Sequence, residues 1–428
     1  MTSIATLHTL FLNCSSVSTD TRKIEKNCLF IALKGANFDA NTFSKEALEK
    51  GAKYVIIDNS DFYIDERTLL VEDSLIALQE LAKFHRKHLG LTIIGLTGSN
   101  GKTTTKELIH AVLLKKYNTL ATIGNLNNHI GVPLTLLRFT KDTEIGIVEM
   151  GANHQNEIAF LCEIAQPDYG YITNFGKAHL EGFGGVEGVI KGKSEMYTYI
   201  KNNNKLVFLN ADDSIQKEKT SNLTTYRFSI NESEADVTIS KITANPMVQI
   251  SFNNETIYSH LIGTYNANNI NAAIAIGRYF KISDKLIKEA IENYIPENNR
   301  SQLIEKNGNK IILDAYNANP SSMSAAITNF IQLDNNSKTA ILGDMYELGQ
   351  ESLLEHKKII ALLVSENKIT TYFIGKYFYT NKVNYSHLKF FENFEIFSEF
   401  LKNNLPTNSL ILIKGSRGMA LEKTLEII

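Results

Sequence analysis

"LTIIGLTGSNGKTTTKELIHAVLLKKY", residues 91–117, decides the architecture of this chain. "LTIIGLTG" is apolar and β-branched, the composition of a buried strand, and "KTTTKELIHAVLLKKY" reads as a helix that follows at once. Between them lies a glycine turn whose spacing is unusual. The common phosphate loop places four residues between its glycines, as G-x-x-x-x-G-K-[ST]. Here two residues separate Gly98 from Gly101, and five separate Gly95 from Gly101. The physical requirements of a phosphate loop are nevertheless present. Glycines allow close backbone approach, the free N–H groups and dipole of a helix N-terminus favour anions, Lys102 neutralises charge, and a hydroxyl of Thr103 or Thr104 can ligate Mg²⁺. An ordinary glycine turn with a surface lysine is the alternative. A lysine without G-x-G-x-x-G favours ATP over a dinucleotide.

Outward from this loop the pattern repeats. "NCLFIALKG" and "AKYVIIDN" precede it as strands, with a helix in "TFSKEALEKGA" between them and another from about Ser74 to His88. "IGIVEMG", "YGYITNF" and "KLVFLNA" follow as strands, and "NINAAIAIGRYF" as a buried helix. The less regular stretch from Leu223 to Tyr258 is expected to form an antiparallel appendage. "KIILDAY", "KTAILGD", "TTYFIG" and "SLILIKG" make a further α/β unit. Strands alternating with helices imply mainly parallel sheets. The expected fold class is therefore α/β with three domains, at residues 1–82, 83–296 and 297–428.

The totals agree with that size. The chain has 428 residues, 43% of them hydrophobic, and a net charge of -2, which argues against a strong nucleic-acid footprint. Cys14, Cys28 and Cys162 form no C-x-x-C pair and suggest buried thiols rather than disulfides. "MTSIATLHTLFLNC" lacks a basic n-region and reads as an amphipathic helix, and no apolar run is long enough to span a membrane. A cytoplasmic globular protein is the expectation.

Several polar residues stand where the ends of these strands should meet the glycine loop. Glu149 ends "IGIVEMG" and suits a Mg²⁺ ligand, or is a solvated charge. His179, in "GKAHLEGFG", is either structural or part of the same site. Lys191 and Lys193, on the helix "GVIKGKSEMY", read locally as a solvated face. Arg300 sits at the junction of the second and third regions, from where it can reach phosphates across a cleft.

Taken together, these motifs resemble the Mur ligase family of ATP-dependent amide ligases of peptidoglycan synthesis. "TGSNGKTT" matches that family's short loop, T-G-[ST]-x-G-K-[ST]-[ST]. "NLNNHIGVPLTLL", "VEMGANHQNEI", "DAYNANPSSMSAAI" and "ILGDMYELG" resemble the branch that adds D-alanyl-D-alanine. The resemblance covers essentially the whole chain. It implies a UDP-substrate domain, a central ATP-binding domain built as a P-loop-type mainly parallel sheet, and a Rossmann-like third domain. It implies ATP and Mg²⁺ as cofactors, UDP-MurNAc-tripeptide and D-Ala-D-Ala as substrates, and a monomer. Gly98, Ser99, Asn100, Gly101, Lys102, Thr103 and Thr104 would bind the ATP phosphates, with Asn269 at the adenine and Arg300 and Asp314 at phosphate and ribose. Thr103, Glu149 and His179 would hold metal. Lys193 matches the lysine that is carbamylated in the family, which would make it a carboxylate-like ligand. Lys102, His179 and Lys193 form the implied catalytic set. Asn127, Asn128, Asn317, Asn319 and Asp344 would shape the substrate end. Ser18, Thr19, Asp20 and Arg22, with "LKGANFDANTF", would bind the UDP-sugar. This chain departs from the family's pattern at Ala40, Asn41 and Tyr265, and around Lys193, where A-K-G-E reads Gly192-Lys193-Ser194-Glu195. The rivals are a folate polyglutamate ligase, whose family lacks such a first domain, and a non-catalytic nucleotide-binding regulator.

Overall fold

The computed structural model describes residues 1–297 and 299–428. Its first sheet has four parallel strands in the spatial order Val17–Ser18, Leu29–Ile31, Tyr54–Ile57, Thr68–Leu70. Leu29, Phe30 and Ile31 are all buried, because the sheet is covered on both faces. The N-terminal helix Ile4–Phe11 lays Leu7, His8 and Phe11 on the long helix Ser74–Leu89. That long helix starts at Asp73, whose carboxylate caps Ile76 N, and stops at the left-handed Gly90. It runs unbroken through residues 82 and 83, so a rigid element links the first sheet to the second.

The second sheet has seven strands, all parallel. Their order is Val237–Thr238, Thr224–Ser229, Leu206–Asn210, Tyr169–Ile172, Thr92–Thr97, Ile145–Glu149, Thr119–Ala121. Thr92–Thr97 is central, and the chain crosses to its two sides in turn. Its carboxyl end is therefore a topological switch point, where open α/β sheets bind ligands. Helix Lys102–Leu113 leaves from that end and packs on the fully buried helix face of Ala267–Tyr279.

The stretch from Leu223 to Tyr258 corrects the expectation of a single antiparallel appendage. Thr224–Ser229 and Val237–Thr238 extend the parallel sheet, and only Lys241–Ala244, Met247–Phe252 and Glu255–Ile262 form an antiparallel sheet. Which neighbour each strand pairs with is set by long-range packing.

The third sheet has six strands in the order Gln302–Lys306, Asn309–Leu313, Leu410–Lys414, Lys338–Gly343, Ile369–Ile374, Leu388–Phe391. Only the edge pair formed by Gln302–Lys306 and Asn309–Leu313 is antiparallel. One apolar cluster runs through all three units, joining Leu7, Val148, Phe330 and Phe373. No helix among the described residues is long and apolar enough to cross a membrane.

Candidate active site

A cleft of about 800 Å³ opens between the second and third sheets, a volume suited to a nucleotide-sized ligand. Its floor is the glycine loop. Gly98 has φ 142° and Gly101 has φ 77°, both backbone conformations that glycine adopts without a Cβ penalty. A Cβ on Gly98 would lie 1.9 Å from Thr173 Oγ1, and one on Gly101 would lie 2.5 Å from Asn269 Oδ1. The two neighbours account for the glycines at these positions. Strand end and helix start must nearly touch the next strand and the helix Ala267–Tyr279.

The loop is held by the adjacent strand end. Ser99 N donates to Asn174 O at 3.0 Å and Ser99 Oγ to Gly176 O at 2.8 Å. Asn100 N donates to Asn174 Oδ1 at 3.1 Å, and Asn100 O accepts from Thr173 Oγ1 at 2.6 Å. Lys102 Nζ donates to Gly98 O at 2.7 Å. Burial holds the Lys102 ammonium below its usual pKa range; Glu149 opposes the shift and Arg300 adds to it. An amine in that setting gains from an anion placed beside it.

Thr103 and Glu149 meet at the loop. Thr103 Oγ1 donates to Glu149 Oε2 at 3.0 Å, and Asn127 Nδ2 donates to Oε1 at 2.8 Å. Glu149 is 1% exposed, which excludes the solvated-charge reading of this residue. Thr104 and Asn128 line the same wall, and Asn128 Oδ1 accepts from Ile130 N and Gly131 N.

Asn269 is buried between Asn266 and Thr105, accepting from Thr105 Oγ1 at 3.0 Å and donating to Asn266 Oδ1 at 2.8 Å. Tyr265 reaches Ser301 Oγ at 3.1 Å, so it ties the helix Ala267–Tyr279 to the start of the third unit. Opposite the loop, the Arg300 guanidinium lies over the Tyr316 ring, 3.6 Å from its centre. Its Nε is buried and has no hydrogen-bond partner among the described residues. Asp314 accepts from Ser301 N at 3.1 Å and from Lys414 Nζ at 2.6 Å. Asn317 is exposed on the cleft wall, and Asn319 Nδ2 reaches across it to Asn100 Oδ1 at 2.7 Å.

Lys193 lies one layer behind the wall. Its Nζ donates to Ala152 O at 3.1 Å and sits over the Phe183 ring. It is 1% exposed, so the solvated-face reading of this lysine is wrong. Burial, with Lys102 second, drives its pKa well below the ordinary lysine value. His179 lines the cleft, and its Nδ1 meets the carboxylate of Glu347 from the third unit. No group of three or more His, Cys, Asp or Glu side chains placed to hold a metal ion occurs among the described residues.

Two sets of expected residues lie elsewhere. Asp344 is not on the cleft lining. Its carboxylate accepts from Tyr377 N and Phe378 N, both at 3.0 Å, and so caps a short helix inside the third unit. Each carboxylate oxygen is thus engaged by a backbone N–H of the third unit. Ser18, Thr19, Asp20 and Arg22 form a local turn in the first unit, outside the cleft, with Asp20 accepting from Arg22 N, Nε and an Nη. Asn41, which stands in a family histidine position, is buried and bonded to Asp39 and Asp58.

Sequence reasoning missed Lys414. It ends the apolar strand Leu410–Lys414, is 2% exposed, and bonds Asp314 and Asn317 O. A charge at the end of "LILIK" was the signal available.

A phosphate loop at a switch point, facing a cation-bearing third unit, defines a nucleotide-dependent α/β enzyme of three parts. The chain belongs to the Mur ligase family. Residues 13–86 match the description "Mur ligase family, catalytic domain", 96–277 "Mur ligase middle domain" and 299–417 "Mur ligase, glutamate ligase domain". It is 37% identical over 422 residues to the UDP-N-acetylmuramoyl-tripeptide--D-alanyl-D-alanine ligase of Bacillus subtilis (strain 168), covering 95% of this chain and 91% of that protein. MurF from Acinetobacter baumannii superposes with a TM-score of 0.84 at 32% identity, over 96% of this chain and 92% of that one. MurF ligase from Thermotoga maritima in complex with ADP gives 0.84 at 27% identity, over 100% and 98%.

Proposed function

We propose that this chain joins D-alanyl-D-alanine to UDP-MurNAc-tripeptide with hydrolysis of ATP, forming the UDP-MurNAc-pentapeptide precursor of peptidoglycan. The observation that carries the reading is the glycine loop set against Thr103, Glu149 and Asn127 on one side and Arg300 and Asp314 on the other. In this reading residues 1–82 bind the UDP moiety, 83–296 bind ATP, and 297–428 bring the dipeptide to the cleft.

The chemistry follows from the reactants. A carboxylate has no good leaving group, so its oxygen must first take the γ-phosphoryl group from ATP, releasing ADP. The amine of D-Ala-D-Ala then attacks the acyl phosphate, an amide forms, and phosphate leaves with the bonding pair. The first step brings two anions together, so the site must offset their repulsion. Lys102 and Arg300 supply positive charge from the two sides of the cleft. The loop N–H groups orient the phosphates, Asn269 receives the adenine, and Asp314 the ribose.

The donors at Thr103 and Glu149 are hard oxygens, which fit Mg²⁺. Those two residues, with His179 and a carbamylated Lys193, would hold it, and it would neutralise phosphate charge. Lys193 suits carbamylation because burial favours its neutral, nucleophilic amine.

The test is phosphate release. It is expected only when ATP, UDP-MurNAc-tripeptide and D-Ala-D-Ala are all present, and Lys102→Ala is expected to abolish it. Release with folate and glutamate instead, or none with the full set, would refute the reading.

A further inference from the structure

The stretch Ile341–Gly349 is accounted for only in part by the helix-capping role of Asp344. The loop after the strand Lys338–Gly343 is braced from inside. His356 Nε2 accepts from Met345 N at 3.0 Å, while Nδ1 lies 2.6 Å from Ser352 O. A carbonyl only accepts, so Nδ1 carries the hydrogen and Nε2 the lone pair. The bracing presents Glu347 toward the second unit. There its carbonyl accepts from Glu181 N at 3.3 Å and its carboxylate meets His179 Nδ1.

Both residues hold unusual backbones. Glu347 has φ 62° and His179 has φ 53°. Left-handed non-glycine residues are strained and persist where the surroundings fix them, often at functional sites. His179 Nδ1 is buried and makes no hydrogen bond of regular geometry among the described residues; the Glu347 carboxylate is in close ion-pair contact with it. The Glu347 carboxyl is held below its usual range, with the His179 contact the largest cause and burial opposing it.

We propose that Glu347 is a positioning residue for His179. Its carboxylate, in contact with Nδ1, favours the tautomer with the hydrogen on Nδ1, which leaves Nε2 as the nitrogen with a free lone pair. A carboxylate behind a ligating histidine fixes tautomer and ring orientation and raises ligand basicity. Because Glu347 comes from the third unit and His179 from the second, the ligand-ready histidine exists only when the two units are closed on each other. This rests on the reading of His179 as a metal-holding residue, and it assigns "ILGDMYELG" a working residue other than Asp344.

The experiment uses the full chain and two variants, Glu347→Ala and Glu347→Gln. The Glu347 side chain is 55% exposed, so neither change disturbs a core. One readout is the tautomer of His179 by ¹⁵N NMR. The other is Mn²⁺ affinity of the complex with a non-hydrolysable ATP analogue. Wild type should show the Nδ1–H tautomer. Glu347→Ala should lose it and bind Mn²⁺ about 10–100-fold more weakly. Glu347→Gln should fall between, since its amide oxygen still accepts. An unchanged tautomer and unchanged Mn²⁺ affinity in Glu347→Ala would overturn the proposal. A wild-type complex that binds the analogue but no Mn²⁺ would refute the metal assignment instead, and the tautomer would still decide the role of Glu347.

Discussion

Gly98→Ala tests the glycine loop most directly, because its cost can be worked out atom by atom. The residue sits at φ 142°, where an L side chain is strained by about 1–3 kcal/mol. The new methyl would lie 1.9 Å from Thr173 Oγ1 and 3.0 Å from Thr173 N. The hydroxyl can rotate away, but it then gives up its 2.6 Å bond to Asn100 O, worth about 0.5–1.5 kcal/mol. The backbone nitrogen cannot rotate, because it donates to Thr97 O at 2.9 Å within the sheet. Residual crowding adds about 1–3 kcal/mol. The total of about 2.5–7.5 kcal/mol is more than the loop can absorb without moving. If the loop yields, binding of an ATP analogue weakens by at least about a hundredfold, since each 1.4 kcal/mol is tenfold. Isothermal titration with the analogue and a thermal melt, run together, measure both forms of the loss. Gly98→Ala/Thr173→Ala should recover part of it, because the hydroxyl clash goes while the backbone strain and the Thr173 N contact remain. Wild-type affinity and stability in Gly98→Ala would refute the loop geometry. Full recovery in the double variant would show that backbone strain contributes nothing.

Three further outcomes are expected. Lys414→Met strands the Asp314 carboxylate in a largely buried setting, so it should cost about 3–5 kcal/mol by denaturant titration and weaken nucleotide binding, with Lys414→Arg milder. With ¹³C-bicarbonate, a carbamate carbon signal should appear in wild type and be missing in Lys193→Ala, because the burial that lowers the Lys193 pKa favours the reactive neutral amine. Docking of the N-terminal helix should weaken in acid. Burial, then His85 and His88, lowers the His8 pKa from 6.5 to about 4. The folded chain therefore keeps His8 neutral while the unfolded chain takes up a proton. The stability is complete above pH 6.5 and is lost as pH falls toward about 4, by about 1–2 kcal/mol after solvent screening. Urea midpoints at about pH 7.5 and pH 5 measure this loss, and His8→Phe should flatten it.

Strand Thr92–Thr97, its loop and helix Lys102–Leu113 were legible because each is written locally, in apolar periodicity, glycines and a lysine at a helix start. The same holds for "IGIVEMG" and "YGYITNF", and so the sequence alone determined a parallel α/β sheet with a phosphate-binding edge. Other facts depended on residues far apart in the chain. Glu149 and Lys193 read locally as solvated charges, yet both are about 1% exposed, because burial is a property of what packs on top. Asp344 was expected at the substrate end, and its bonds to Tyr377 N and Phe378 N, more than thirty residues away, could not be read locally. Glu347 carried no local signal at all, since its partner His179 belongs to another sheet. Local sequence fixes which residues form elements and which groups can bind phosphate. Register, burial and the pairing of charges across a cleft are set by the sum of distant contacts, and those exist only once the sheets have packed.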